Sequence, residues 1–187
     1  MRLFTIQPIE VLKILEEKGR FVCEYSEYMK WAEENGCNET IDAYTWMMIQ
    51  MKKRIGPSPE GAYYPIWAWA KNDDDNVNDS CAQAGKLYAR IELEINPSRV
   101  LLSDFDGWHS PLGAVPFIED EDSFDEKWNA IIAAGKEAVV KSWEGIFDVS
   151  RSDYIQAVFW ELRSEDILSY ETFVSKGDSF DAEELDA

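Results

Sequence analysis

Apolar positions along this chain fall into runs of two different periods, and the cleanest run is LYARIELEI at 87–95. Leu87, Ala89, Ile91, Leu93 and Ile95 alternate with Tyr88, Arg90, Glu92 and Glu94. A period of two sends alternate side chains to opposite faces, so this segment reads as a strand with one dry face and one wet face. LFTI (3–6) predicts an opening strand. Pro8 then stands at a helix-start position, with Ile9, Val11, Leu12 and Leu15 as the apolar stripe and Gly19 as the stop. FVCEY (21–25) predicts a second short strand. Ser26 is placed to cap a helix that ends at Asn35-Gly36, and Thr40 to cap the next, whose Tyr44, Met47, Met48 and Met51 fall at helical spacing. Lys52, Lys53 and Arg54 suit the negative end of that helix.

Later segments are richer in strands. YYPIWAWA (63–70) predicts a buried strand with Trp67 and Trp69 on one face, and RVLLS (99–103) a further one after the Asn96-Pro97-Ser98 turn. Helices are expected around 124–134 and 136–147. YIQAVFWEL (154–162) predicts one continuous strand, SEDIL (164–168) a helical turn and SYETFV (169–174) a last strand. NDDDNVNDS (72–80) reads as an exposed loop. Without regular β-α alternation, the pattern predicts an α+β fold, with N-terminal helices packed on a mostly antiparallel sheet. One globular domain is expected over 1–176, followed by an acidic, flexible tail over 177–187.

Charge changes the picture. Residues 1–70 carry 10 acidic and 8 basic side chains, a net of −2, and the remainder 27 and 10, a net of −17. Direct binding to nucleic acid or to an anionic membrane is disfavoured, and a basic protein partner is favoured. Cys23, Cys37 and Cys81 form no C-x-x-C pair and read as free thiols. With no leader or spanning segment visible, a cytoplasmic protein is expected.

Candidate chemistry is sparse. An EF-hand register starting at Asp74 would put Asp79 where the glycine belongs and Gly85 where the bidentate glutamate belongs. No Cys, His and carboxylate cluster has metal-ligand spacing, so no metal is expected. The strand and Asp-x-Asp-Gly of VLLSDFDGWH (100–109) resemble the nucleophile motif of haloacid-dehalogenase-like phosphatases, in which Asp104 and Asp106 would attack phosphate and hold magnesium. The alternative is a simple turn after the strand. His109 is the only histidine. Beside Trp108 it reads as a structural hydrogen-bonding residue.

LFTIQPIEVLKILEEKG (3–19), YYPIWAWA (63–70), VLLSDFDGWH (100–109) and IQAVFWELRSEDI (155–167) together resemble a bacterial and phage family known as a domain of unknown function, over about residues 1–174. A more distant similarity links the first and last of these segments to ADP-ribosyltransferase-like domains, which have a split sheet and use NAD. That resemblance implies that Glu161 is the catalytic carboxylate, stabilising the cationic ribose as nicotinamide leaves. It implies first-motif positions at Phe4 and Thr5, with Gln7 close by. Trp67 and Trp69 would wall the nicotinamide pocket, and Gln156 would contribute to cofactor binding. Thr5 stands where many such domains carry His. The acceptor of ADP-ribose would be a protein or nucleic acid. The rival expectation is a non-enzymatic acidic protein that covers a basic, nucleic-acid-binding surface of a partner, as an inhibitor of host defence does.

Overall fold

The computed structural model describes residues 1–71, 83–119 and 121–177, and for Glu27, Lys71 and Glu121 the backbone alone. The expected loop at 72–80 and the tail beyond Gly177 lie outside the described residues. Strand β1 (Arg2–Pro8) is followed by helix α1 (Glu10–Lys18), β2 (Arg20–Val22), α2 (Glu27–Glu34) and α3 (Asn38–Arg54). Then come β3 (Ile66–Lys71), β4 (Leu87–Glu94), β5 (Leu101–Asp104), α4 (Phe105–Leu112), α5 (Phe124–Ala134) and α6 (Lys136–Ser142). Strands β6 (Ile155–Phe159), β7 (Glu161–Arg163) and β8 (Ile167–Val174) complete the α+β architecture.

Six strands form one sheet in the order β5-β6-β3-β1-β4-β8, with every neighbouring pair antiparallel. A separate two-stranded sheet pairs β2 with β7. The alternation of β4 works as expected: Ala89, Ile91 and Leu93 are fully buried, with Arg90 and Glu92 on the opposite face. With Leu3, Ala68, Ala157 and Phe159 they make an aliphatic core against Val11 and Leu15 of α1. The other face of β3, β5 and β6 packs on α3, α4 and α6 through Trp46, Met47, Met51, Trp108, Val139 and Trp160. Among the described residues no helix is long and apolar enough to cross a membrane.

Several local expectations hold at the level of single bonds. Ser26 accepts the amide of Met29 at 3.2 Å and so caps α2. Gly19 closes α1 at φ 72°, where a side chain would be strained, and its amide reaches the Leu15 carbonyl. Others are corrected. The first strand runs through Pro8, so α1 begins only at Glu10. Helix α3 starts at Asn38, before Thr40, and its N-cap Cys37 makes no side-chain bond. The second strand ends at Val22, and only an isolated Cys23–Tyr64 bridge continues it. Beyond Ser142 the chain tightens into a 3₁₀ turn through Phe147.

The largest correction concerns 154–162, which is two strands in two sheets. β6 ends at Phe159, and Glu161 opens β7 against Val22. Trp160 sits at the break, 6% exposed, and its indole N–H donates to the Gly56 carbonyl at 3.1 Å. A buried indole N–H needs an acceptor, and this one finds it where the chain leaves the ladder of β6. In consequence Leu162, rather than Glu161, joins Ala157 and Phe159 in the aliphatic core.

Candidate functional site

The β6–β7 corner gathers the densest set of ion pairs in the described chain. The Glu161 carboxylate is only 14% exposed, and one oxygen accepts from Arg163 Nε at 3.2 Å and Nη2 at 3.1 Å. Its other oxygen meets Arg20 Nη1 at 3.5 Å, and Arg20 also donates to the Glu60 carbonyl. The backbone carbonyl of Glu161 accepts from Arg99 Nη2 at 2.8 Å. Arg99 then grips Asp166 with two bonds, Nη1 at 2.7 Å and Nη2 at 3.0 Å. Asp166 is 4% exposed and accepts the Arg163 amide as well. These donors compensate the carboxylate for its lost hydration. The hydrogen bonds and negative charge of Glu161, with a smaller contribution from Glu165, raise the pKa of Arg163.

This corner therefore holds a fixed carboxylate among three guanidinium groups in a chain of net charge −19. Asp166 occupies Arg99, whereas Arg20 and Arg163 are 47% and 43% exposed and can reach a ligand. A recess of about 190 Å³ opens beside them, lined by Pro57, Pro59, Arg99, Trp160, Glu161 and Arg163. A groove of about 360 Å³ adjoins Lys18, Arg20, Val22, Cys23 and Tyr25. Arg20 thus stands with Glu161 on one side and Lys18 in the groove on the other. The Cys23 thiol in that groove donates to the Tyr25 carbonyl, and burial pushes its pKa up, so it rests as a protonated thiol.

The other residues singled out from the sequence lie on the large sheet. Thr5 is 1% exposed; its hydroxyl donates to the Trp67 carbonyl at 2.6 Å and accepts from Gln7 Nε2 at 2.8 Å. Its hydrogen-bonding capacity is spent inside the sheet. On the opposite face, strand register sets Ser103, Gln156, Trp69, Phe4 and Glu92 in one row across five strands. Gln156 donates to Ser103 Oγ, Arg90 lies 4.1 Å over the Phe4 ring, and Trp69 packs on Phe105 of α4. Trp67 sits between Tyr44 and Trp108, and its buried Nε1 has no hydrogen-bond acceptor among the described residues. The fold thus unites Phe4, Trp69 and Gln156 on one face, and Thr5, Gln7 and the Trp67 backbone on β1 and β3. Among the described residues, Glu161 shares no hydrogen bond or ion pair with any of these six.

VLLSDFDGWH folds as strand and helix. Asp104 accepts the Gly107 amide and is the N-cap of α4, while the carbonyl of Asp106 faces His109 Nδ1 at 3.1 Å. His109 is exposed and meets Phe105 edge-on. A Cβ on Gly107 would lie 2.8 Å from Asp104 Oδ1 and 2.9 Å from the Phe117 ring, so only glycine fits. Asp104, Asp106, Glu119, Asp148 and Asp153 line a recess of about 470 Å³ in which Arg151 is a cation. Hydrogen bonds from the Ser150 hydroxyl and amide hold Asp148 below the usual carboxylate range. Among the described residues no three His, Cys, Asp or Glu side chains are grouped to hold a metal ion.

From the sequence Glu161 could pair with Arg163, but Arg20, Arg99 and Asp166 around it were not found. The only signal for Arg20, and for the Arg99–Asp166 pair, is opposite charge at positions remote along the chain.

The family described as a domain of unknown function (DUF3841) matches residues 2–168, and the chain belongs to it. No curated protein and no solved structure matches the chain.

Proposed function

We propose that this member of the DUF3841 family is an ADP-ribosyltransferase-like domain that binds NAD at the β6–β7 corner, with Glu161 as its working carboxylate. The observation that supports the reading is the pairing of a fixed, largely buried carboxylate with half-exposed guanidinium groups in an otherwise strongly acidic chain. Arg20 and Lys18 supply positive charge for the diphosphate, and Arg163 holds the carboxylate in place. In this reading Glu161 faces the ribose carbon, where positive charge develops as its bond to nicotinamide breaks and the bonding electrons leave with the ring nitrogen. A preorganised carboxylate stabilises that cation without reorganising. The acceptor, a protein or nucleic-acid nucleophile, then bonds to the ribose carbon and gives up its proton. In this reading Thr5, Gln7 and Gln156 brace the sheet, and Phe4, Trp67 and Trp69 form its aromatic side.

The test is incubation of the protein with labelled NAD and a cell lysate, comparing wild type with Glu161→Gln and resolving protein from nucleic-acid fractions. Label transfer that disappears in a variant with unchanged circular dichroism is the expected result. Absence of both transfer and NAD consumption in the wild type would overturn it.

A second reading is favoured by the acidic recess beside α4, which is lined by five acidic residues and one arginine, Arg151. In it the chain is a non-enzymatic protein that covers a basic surface of a partner. Capture of such a partner would weaken as salt rises, and capture indifferent to salt would contradict it.

A further inference from the structure

The geometry points to a second copy of this chain as the occupant of the β8 edge, pairing strand to strand about a two-fold axis at Thr172. β8 is the last strand of the large sheet, and Leu168 through Glu171 and Thr172 through Val174 leave it mostly exposed along its length. Exposed edge strands present unpaired amides and carbonyls, and are normally interrupted by Pro, Lys or a bulge. β8 has neither Pro nor Lys, and its one irregularity, against Glu92 and Leu93 of β4, leaves Leu168 as the extra residue. From Ser169 to Val174 the strand is regular.

Its outward side chains have something to bury. Tyr170 and Val174 are 57% and 60% exposed, and Leu87, opposite Val174 on β4, is 44% exposed. All three stand on the face that carries the aliphatic core. On that face a groove of about 610 Å³ separates β8 from α1, lined by Ile9, Leu12, Leu15, Ile167, Tyr170 and Thr172. Among the described residues no element covers the core where it runs out to this sheet edge.

The choice of occupant follows from the strand's own sequence. In a continuous antiparallel sheet with a two-fold axis perpendicular to it, residues directly opposite share a face. An axis at Thr172 sets Thr172 against Thr172, Tyr170 against Val174 and Glu171 against Phe173 of the second copy. Threonine pairs and aromatic against β-branched pairs are favourable across strands. An axis at Glu171 would oppose two carboxylates, and one at Tyr170 would bring the bulged Leu168 into the ladder. Charge agrees: Glu171 is the only ionised residue of β8, and the α1 side of the groove carries Glu10, Lys13 and Glu16. The interface is isologous and closes on itself as a dimer.

Sedimentation velocity of the full chain at micromolar concentration tests this against Thr172→Lys and, independently, Val174→Lys. The wild type is expected at twice the chain mass of 21.6 kDa, and both variants at the single-chain mass with unchanged circular dichroism. Like charges meet at the axis in the first variant, and a charge replaces the apolar contact in the second. A wild type that stays at 21.6 kDa, or a dimer that survives both substitutions, would overturn the proposal.

Discussion

The two faces of the large sheet solve the same burial problem with different chemistry. Under α1 the core is largely aliphatic: Leu3, Ala89, Ile91, Leu93 and Ala157, with the ring of Phe159, come from regular strands and carry no side-chain polar atoms. Under α3, α4 and α6 it is built from Trp46, Trp108, Trp143, Trp160, Met47 and Met51. Each buried indole brings an N–H that must be placed. Trp143 donates to the Val115 carbonyl at 2.7 Å and Trp160 to the Gly56 carbonyl at 3.1 Å. Those bonds tie loops to the core, so the tryptophan face fixes irregular backbone where the aliphatic face needs only alternation. The candidate site lies where the chain passes between these regimes, at Trp160 and Glu161.

The comparison predicts different penalties. Phe159→Ala on the aliphatic face should cost most, about 3–5 kcal/mol in urea unfolding, through lost transfer energy and a cavity among fully buried neighbours. A cost below about 1 kcal/mol would mean that this face can collapse around the gap. Asp166→Ala, at the junction, should cost roughly 3 kcal/mol, because Arg99 and the Arg163 amide lose a buried acceptor together. An Arg99→Met change combined with it should recover part of that loss, and no recovery would refute the pairing argument. Trp160→Phe should cost least, about 1–2 kcal/mol, since most apolar area stays and only the donor to Gly56 goes. A loss as large as that of Phe159→Ala would show that the indole bond governs the β6–β7 break.

These regimes also explain what could be read from the chain. β4 was legible because one face is dry and the other wet, and Ser26 because its cap bonds within three residues. α4 was not legible. Gly107 and Pro111 both argue against a helix, yet Asp104 caps it and the closeness of Phe117 and Ile146 demands the glycine. The break at Trp160 was hidden because Ala157 through Trp160 are all buried, on one face or the other, and an uninterrupted apolar run shows no change of phase. Among the partners of Glu161 only Arg163 is near in the chain; Arg20 is 141 residues away, and Arg99 is 67 residues from Asp166. Charges on short strands look like a wet face until the fold brings them together. Glu161 itself was found only through its resemblance to a known motif.

Equilibrium titration of NAD into the purified chain, by calorimetry, is the most direct test of the central claim. The account predicts saturable binding that weakens with added salt and weakens several-fold in Arg20→Gln, whose guanidinium is half exposed and only loosely paired with Glu161 at 3.5 Å. No heat of binding at about millimolar NAD, near the weak limit of specific recognition, or an affinity unchanged by Arg20→Gln, would contradict it.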